Sequence, residues 1–123
     1  MRALEQQGIP CAVATSTRTE TAIGHLRKAS LHSYFRATIG GDRVTRGKPD
    51  SEIYLKAARE LGVSIEDCAI FEDSDPGTLA AIASGARVVQ VPDVKPPSAA
   101  LKENGHLIAE TLLGGARKIG LVA

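Results

Sequence analysis

Short apolar runs alternate along this chain with segments of helical period, and this alternation limits the fold more than any other feature. The runs are rich in Val and Ile and are predicted as β-strands at 11–15, 37–41, 68–72 and 87–91. Helices are predicted between and beside them at 18–29, 50–61 and 76–84. Strands that alternate with helices predict an α/β fold with a parallel sheet. With 123 residues, the chain has room for one such domain, which we take as 1–123.

The second predicted helix has the clearest amphipathic pattern. Ile53, Ala57 and Leu61 form its predicted inward stripe, and Gly62 ends it. Its predicted water-facing residues are Lys56, Arg59 and Glu60. The tail is less regular and predicts a proline-started helix, an edge strand and a glycine-weakened helix, at 96–105, 106–110 and 112–121.

Charge and hydropathy exclude several classes of partner. The formal net charge is +1 and the basic residues are scattered, so nucleic acid is not expected to bind. No apolar run approaches the ~20 residues that span a bilayer, and the first ten residues lack the apolar centre of a signal peptide. We therefore expect no membrane partner and a cytoplasmic location. Cys11 and Cys68 each open an apolar run and are interpreted as small buried hydrophobes.

Polar residues follow two of the predicted strands. Hydroxyls follow the first strand at Thr15, Ser16 and Thr17, and a polar set follows the third at Glu72, Asp73 and Ser74. Ligands bind at the carboxyl ends of the strands in open parallel sheets, so both sets should meet on one rim. Lys48 lies between them in sequence, just before a helix. Each feature alone has a plain structural explanation, such as a helix N-cap or a surface lysine, but the ordered set favours a functional site.

Three segments carry a family resemblance. "AVATSTR", "GKPDSEIYLKAA" and "AIFEDSDPGTLAAIASGA" resemble the second, third and fourth motifs of the haloacid dehalogenase-like superfamily of phosphohydrolases. The match lies in the branch that contains β-phosphoglucomutase and small sugar-phosphate phosphatases, and it covers about residues 8–95. The resemblance implies a three-layer Rossmann-like core. It also implies a Mg²⁺-dependent phosphatase or phosphomutase that acts on a small phosphorylated metabolite through an aspartyl-phosphate intermediate.

The resemblance also implies a role for each rim residue. The Thr15 hydroxyl and the Ser16 backbone N–H would bind phosphoryl oxygens, and Lys48 would bring positive charge to the phosphate and to the attacking carboxylate. Thr15 and Lys48 are thus the expected catalytic residues. Glu72 and Asp73 would hold Mg²⁺, which prefers oxygen ligands and keeps several waters.

The attacking group of the family is missing from the sequence. "DSDPGT" is similar to a D-x-D-G-T nucleophile loop, but it follows the hydroxyl and the lysine, and Pro76 separates Asp75 from Gly77. It is therefore interpreted as the fourth motif, with no chemical role for Asp75. Neither the nucleophile strand nor the family's helical cap is found. We expect the chain to be the C-terminal half of a longer hydrolase and to be inactive alone, and the sequence leaves open whether Met1 is its natural start.

The missing strand should also affect the fold. In the family it lies between the strand that ends at Thr15 and the one that ends near Glu72, so its loss exposes unpaired backbone groups. The chain alone should be marginally stable. It would need the missing N-terminal segment, a swapped neighbour, or direct pairing of the two strands.

Two other classes of function stay open. A bacterial receiver domain has a similar length, acidic pair, hydroxyl and lysine, but receivers place acidic residues first and the hydroxyl later, which is the reverse of the order here. A non-catalytic remnant that associates with itself or a partner through its unpaired strands is the second alternative.

Overall fold

The computed structural model describes residues 6–91 and the backbone of 107–108. The strands are β1 (Ala12–Ala14), β2 (Ala37–Ile39), β3 (Ala69–Glu72), β4 (Arg87–Gln90) and β5 (Leu107–Ile108). The helices are α1 (Thr19–Lys28), α2 (Glu52–Leu61) and α3 (Asp75–Ser84). Short 3₁₀ turns lie at His32–Tyr34, Gly41–Arg43 and Ile65–Asp67. The predicted α/β alternation is confirmed, and each element lies within about two residues of its predicted place.

The strands are parallel and form two separate groups. β1 pairs with β2, whereas β3 pairs with β4 and β4 with β5. In the part of the chain that the structure describes, β1 and β3 do not pair with each other. Direct pairing of these two strands, one of the three ways the sequence left open to compensate the missing strand, is therefore not the arrangement found.

One helix and one apolar core join the two groups of strands. α2 packs against β1, β2 and α3, and α3 packs against β3 and β4. The core cluster holds residues from both groups, namely Ile39, Ile53, Tyr54, Ala57, Ile70, Ala80 and Ala81. Burial of these side chains holds the two groups in one domain, although no backbone ladder joins them within the described residues.

The buried face of α2 differs from the predicted stripe. Ile53 and Ala57 are buried as expected, but Leu61 is only partly buried, and Tyr54 and Ala58 are buried instead. A stripe wider than one residue per turn is usual for a helix that packs against both a sheet and another helix. Lys56 does not simply face water, because its ammonium donates to the Arg43 carbonyl at 2.7 Å.

Two glycines, Gly40 and Gly41, directly follow β2, and the loop after β1 packs against their backbone. A Cβ added at Gly40 would lie 2.2 Å from the backbone nitrogen of Thr19, and one at Gly41 would lie 2.5 Å from the Ser16 carbonyl oxygen. Any side chain at these positions would push the two loops apart. The loops after β1 and β2 therefore pack closely together at the carboxyl ends of these strands, and the strand predicted at 37–41 stops at Ile39.

Other sequence predictions fall partly outside the described residues. β5 lies inside the predicted edge strand 106–110, whereas the predicted helices at 96–105 and 112–121 lie outside the described residues. Cys11 and Cys68 are free and partly buried, and burial raises the pKa of both thiols. None of the helices described is long and apolar enough to cross a membrane. The cytoplasmic location and the absence of a nucleic-acid partner stay predictions.

Candidate functional site

Lys48 lies at the carboxyl ends of the strands and bridges the two strand groups. It stands in the loop before α2, and its Nζ lies 2.7 Å from Oε2 of Glu72 at the end of β3. The same ammonium donates to the Ala14 carbonyl oxygen at the end of β1, at 3.3 Å. Both side chains of the ion pair are only 10% exposed. The cation is thus fixed between β1 and β3, where no backbone hydrogen bonds join the described residues of these strands.

Tyr54 completes this arrangement, and the sequence reasoning missed it. Its hydroxyl donates to the same Glu72 Oε2, and Lys48 Nζ lies 5.2 Å from the centre of its ring. The residue is 6% exposed. The amphipathic pattern of α2 could have indicated this role. Tyr54 follows Ile53 at the inward face of the helix, and a buried hydroxyl there needs a hydrogen-bond partner.

The other oxygen of Glu72 faces its own loop. Oε1 accepts from the Asp73 backbone N–H at 3.1 Å and from Ser74 Oγ at 3.4 Å. A Cβ on Gly77 would lie 2.1 Å from the Glu72 Cδ, so only glycine at this position leaves room for the carboxylate. The carboxylate therefore rests against the first turn of α3, whose partial positive charge favours an anion.

The charge states of this cluster follow from its contacts. Burial opposes ionisation of Glu72, but hydrogen bonds from Lys48, Tyr54 and Asp73 and the Lys48 charge together lower its pKa to about 2. Burial, followed by the Glu72 charge, raises the pKa of Tyr54 far above its ordinary value. At neutral pH Glu72 is therefore an anion and Tyr54 a neutral donor. The cluster is an ion pair with a hydrogen-bond donor beside it.

The hydroxyl loop after β1 begins beside this cluster. Thr15 directly follows Ala14, the strand residue that accepts from Lys48, and its backbone N–H donates to Ile39 at 3.0 Å. Its Oγ1 accepts from the Thr17 N–H at 3.2 Å. Ser16 is exposed. Across residues 6–91, no hydrogen bond or ion pair joins the side chains of Thr15 or Ser16 to Lys48 or Glu72, whereas the lysine and the glutamate are bonded directly.

A second polar cluster on this side of the molecule was also missed. Asp42 Oδ1 accepts from the Thr19 backbone N–H at 2.7 Å and from Thr19 Oγ1 at 2.8 Å. Thr19 Oγ1 in turn accepts from the Gly40 N–H at 3.0 Å. The Thr19 N–H is the main cause that lowers the pKa of Asp42, an exposed residue. This Asp42–Thr19 cluster ties the start of α1 to the end of β2.

The acidic pair places two carboxylates side by side at the carboxyl end of β3. Asp73 is exposed beside Glu72, and a hydrogen bond from Asp73 is among the causes that lower the pKa of that glutamate. Carboxylate oxygens suit a hard cation such as Mg²⁺, which keeps several waters. Among the described residues, no group of three or more His, Cys, Asp or Glu side chains could hold a metal ion. Among the described residues, Glu72 and Asp73 are thus two neighbouring carboxylates, one largely buried and hydrogen-bonded and the other exposed.

Comparisons with known proteins point to one family. The family model described as haloacid dehalogenase-like hydrolase matches residues 1–91. A phosphorylated carbohydrates phosphatase of Thermotoga maritima is 42% identical over 82 residues, which cover 67% of this chain and 38% of that protein. A beta-phosphoglucomutase of Bacillus subtilis is 34% identical over 93 residues, which cover 76% of this chain and 40% of that protein.

A solved structure shows the same fold. The crystal structure of a HAD family hydrolase from Deinococcus radiodurans, with bound phosphate and sodium, matches with a TM-score of 0.81 and 32% identity. The match covers 99% of this chain and 58% of that one. The chain therefore spans between about two fifths and three fifths of the length of these relatives.

Proposed function

This chain belongs to the haloacid dehalogenase-like hydrolase family, and we propose that it supplies the phosphate-binding and metal-binding side of a phosphatase or phosphomutase site. The substrate would be a small phosphorylated metabolite, since relatives are described as a phosphatase of phosphorylated carbohydrates and as a beta-phosphoglucomutase. The observation that carries this proposal is the buried Lys48–Glu72 pair at the carboxyl ends of β1 and β3. A cation held there is positioned for a phosphoryl group.

Lys48 would act on the charge of the phosphoryl group. Its ammonium has three N–H donors, and the described residues use two of them, through Glu72 and Ala14. The third N–H is available to a phosphoryl oxygen. A charge that is fixed before the reaction begins costs no reorganisation when negative charge develops on the phosphoryl oxygens. The Thr15 hydroxyl and the Ser16 N–H would bind other oxygens of the same group.

Glu72 and Asp73 are the residues we assign to Mg²⁺. When bound, the ion would neutralise charge on the phosphoryl oxygens. Two protein carboxylates are few for a cation that dehydrates reluctantly, so affinity for Mg²⁺ should be weak in this chain alone. Glu72 would serve both sides of the site, with Oε2 bound to Lys48 and Oε1 directed to its own loop.

The attacking carboxylate is not among these 123 residues. The one D-x-D pair is formed by Asp73 and Asp75, and Asp75 accepts from the Gln90 amide at the start of α3. We propose that a separate segment provides the nucleophile and enters as a strand between β1 and β3. Such a strand would pair with both edges and bring its carboxylate to Lys48.

The test compares this chain alone with the chain plus that segment. Alone, with Mg²⁺ and an aryl phosphate, it should show no enzymatic turnover, because it can bind and polarise a phosphate but cannot attack it. Addition of a peptide or protein that carries a strand ending in D-x-D-G-T should raise thermal stability and Mg²⁺ affinity together and restore turnover.

Lys48→Ala is the matched control in the complemented enzyme. It should lower turnover by orders of magnitude, since it removes charge from the transition state. Turnover by the purified chain alone would overturn the proposal that a separate segment supplies the nucleophile. Complementation that changes neither stability nor Mg²⁺ affinity would show that the strand does not enter between β1 and β3.

Within the described residues no strand pairs with the facing edges of β1 and β3, and this favours a second candidate function. Exposed strand edges pair readily with other chains, so the chain could be a non-catalytic partner that assembles through them. Light scattering separates the two candidates. A stable oligomer that persists at low concentration and does not respond to Mg²⁺ would support assembly rather than catalysis.

A further inference from the structure

Glu72 and Lys48 need a third group to hold their geometry, because each is an end of a flexible side chain. Glu72 Oε2 accepts from both the Lys48 ammonium, at 2.7 Å, and the Tyr54 hydroxyl. Tyr54 belongs to α2 and is fixed by the apolar core, where it packs with Ile53 and Ala57. Of the three groups, the tyrosine is the one that also belongs to the apolar core cluster, with 6% of its surface exposed.

The tyrosine contacts both members of the ion pair in different ways. Its hydroxyl orients the carboxylate, and its ring lies under the ammonium at 5.2 Å, a distance typical of a cation–π contact. A hydrogen bond to an ionised acceptor is stronger than one between neutral groups. The hydroxyl therefore fixes which oxygen of Glu72 faces Lys48 and leaves Oε1 with the Asp73 and Ser74 loop.

We propose that Tyr54 is a positioning residue of this site. Its hydroxyl and ring hold Glu72 and Lys48 in the orientation in which these two residues would bind metal and phosphate. The effect of Tyr54 on phosphate and metal binding rests on the proposed function. The positioning of Lys48 and Glu72 can be measured without substrate. In this proposal Tyr54 has no direct contact with phosphate or metal. It acts through the lysine and the glutamate.

The chain offers a matched pair of variants, because its two tyrosines are Tyr54 and Tyr34. Tyr54→Phe keeps the ring and removes the hydroxyl. Tyr34→Phe makes the same chemical change in the 3₁₀ turn at His32–Tyr34, beyond the amino end of β2 and away from the rim. Tyr54→Leu removes the ring as well and so separates the two contributions of Tyr54.

The first measurement is the NMR signal of the Lys48 ammonium in the full 123-residue chain. In the unchanged protein and in Tyr34→Phe, its protons should exchange slowly with water and the side chain should be restrained. Tyr54→Phe should speed the exchange several-fold, and Tyr54→Leu should speed it further. Equal restraint in Tyr54→Phe and Tyr34→Phe would overturn the proposal.

The second measurement is affinity for inorganic phosphate and for Mn²⁺ as a paramagnetic substitute for Mg²⁺, at a temperature where every variant is folded. Tyr54→Phe should weaken both by about 10-fold or more, the factor that corresponds to loss of one hydrogen bond to a charged group. A tyrosine with a purely structural role would lower the melting temperature of Tyr54→Phe and leave both affinities as in Tyr34→Phe, and that result would also overturn the proposal.

The two readouts distinguish this inference from the proposed function. If phosphate fails to bind even the unchanged chain while Tyr54→Phe still releases Lys48, the positioning role stands and the phosphate site is wrong. If phosphate binds and Tyr54→Phe changes nothing, the site stands and the positioning role is wrong. Where Tyr54→Leu does not fold, Tyr54→Phe alone decides the matter.

Discussion

Two polar clusters lie on the same side of this molecule and differ in how they are built. The Lys48–Glu72 pair is 10% exposed and joins groups far apart in the chain, across strands that do not pair within the described residues. The Asp42–Thr19 cluster is exposed and joins two neighbouring loops, through a carboxylate that accepts from a helix N-terminus. The Lys48–Glu72 pair thus places buried charges between the two groups of strands, whereas the Asp42–Thr19 cluster connects the loop after β2 to the start of α1.

The difference teaches which polar contacts the fold depends on. An exposed carboxylate that loses its partner is solvated by water, so little changes. A buried carboxylate that loses its cation keeps its desolvation cost without the compensating attraction. We therefore expect the molecule to be sensitive to changes in the buried pair and tolerant of changes in the Asp42–Thr19 cluster, and three predictions test this contrast.

The largest effect should follow removal of the buried cation. Lys48→Met leaves the Glu72 carboxylate buried with Tyr54 and should lower the free energy of unfolding by about 3 kcal/mol. That is a large part of the stability of a small domain. Urea unfolding followed by circular dichroism measures it.

Two controls sharpen this prediction. The double variant Lys48→Met with Glu72→Gln should recover part of the loss, because no charge then stays buried without a partner. Arg46→Met, in the same loop, removes a cation that is 78% exposed and 3.9 Å from Asp50, and it should change the free energy of unfolding by less than about 0.5 kcal/mol. Equal losses in Lys48→Met and Arg46→Met would remove the distinction between buried and exposed charges.

An intermediate effect should be visible in the pH dependence of stability. The pKa of Glu72 falls on folding from an ordinary 4.5 to about 2. The folded state thus binds this proton less readily than the unfolded state. The stabilisation from Glu72 is therefore fully present above about pH 4.5 and is lost as the pH falls toward 2.

Comparison of two variants isolates this contribution. Glu72→Gln should flatten the fall in unfolding free energy on the acid side, while Asp42→Asn should alter it only slightly. The pKa of Asp42 is lowered as well, so its contribution to stability is also lost as the pH falls. That contribution should be small, because the carboxylate is exposed. Urea unfolding of both variants from neutral pH down to about 2 gives the two slopes. A steeper change in Asp42→Asn than in Glu72→Gln would reverse the proposed ranking of the clusters.

The smallest effect on stability should come with a clear effect on the site. Gly77→Ala places a methyl group where the Glu72 carboxylate lies, and the flexible end of that side chain must move. Alanine also favours the helix by about 1 kcal/mol, which offsets part of the cost of displacing the buried carboxylate, so the net loss of unfolding free energy should be smaller than in Lys48→Met. The NMR signal of Lys48 should nevertheless lose its restraint.

Gly85→Ala supplies the opposite pattern. Gly85 ends α3 with a φ of 90°, and a Cβ added there would meet no described atom within 4 Å. Alanine at this position is therefore strained by its backbone conformation alone and should cost about 1 kcal/mol, with the Lys48 signal unchanged. If Gly77→Ala leaves Lys48 restrained, the Glu72 position does not depend on the space beside Gly77.

Some features of the site were predictable because local patterns determine them. The order of strands and helices follows from hydrophobic period. The placement of Lys48 and Glu72 on one rim follows from the rule that ligands bind at the carboxyl ends of parallel strands. The structure brings these two residues into direct contact. The assignments of Thr15, Ser16 and Asp73 to phosphate and metal stay predictions.

Other features could not be predicted because they depend on which surfaces meet. Tyr54 is one residue from Ile53 in sequence, and only the packing of α2 against β1 and β2 aims its hydroxyl at Glu72. Likewise, the pairing of Asp42 with Thr19 spans 23 positions and requires the loops after β1 and β2 to touch.

The sequence by itself determined the alternation of elements, the parallel sheet and the family, since these depend on residue period and on motifs read along the chain. Tertiary structure alone decided that the described residues of β1 and β3 stay apart and that Lys48 joins them through Ala14 and Glu72. The physical reason is that pairing and burial are properties of surfaces in contact. Lys48 links the two strands because the core around Tyr54 excludes water from its charge, which strengthens its hydrogen bonds.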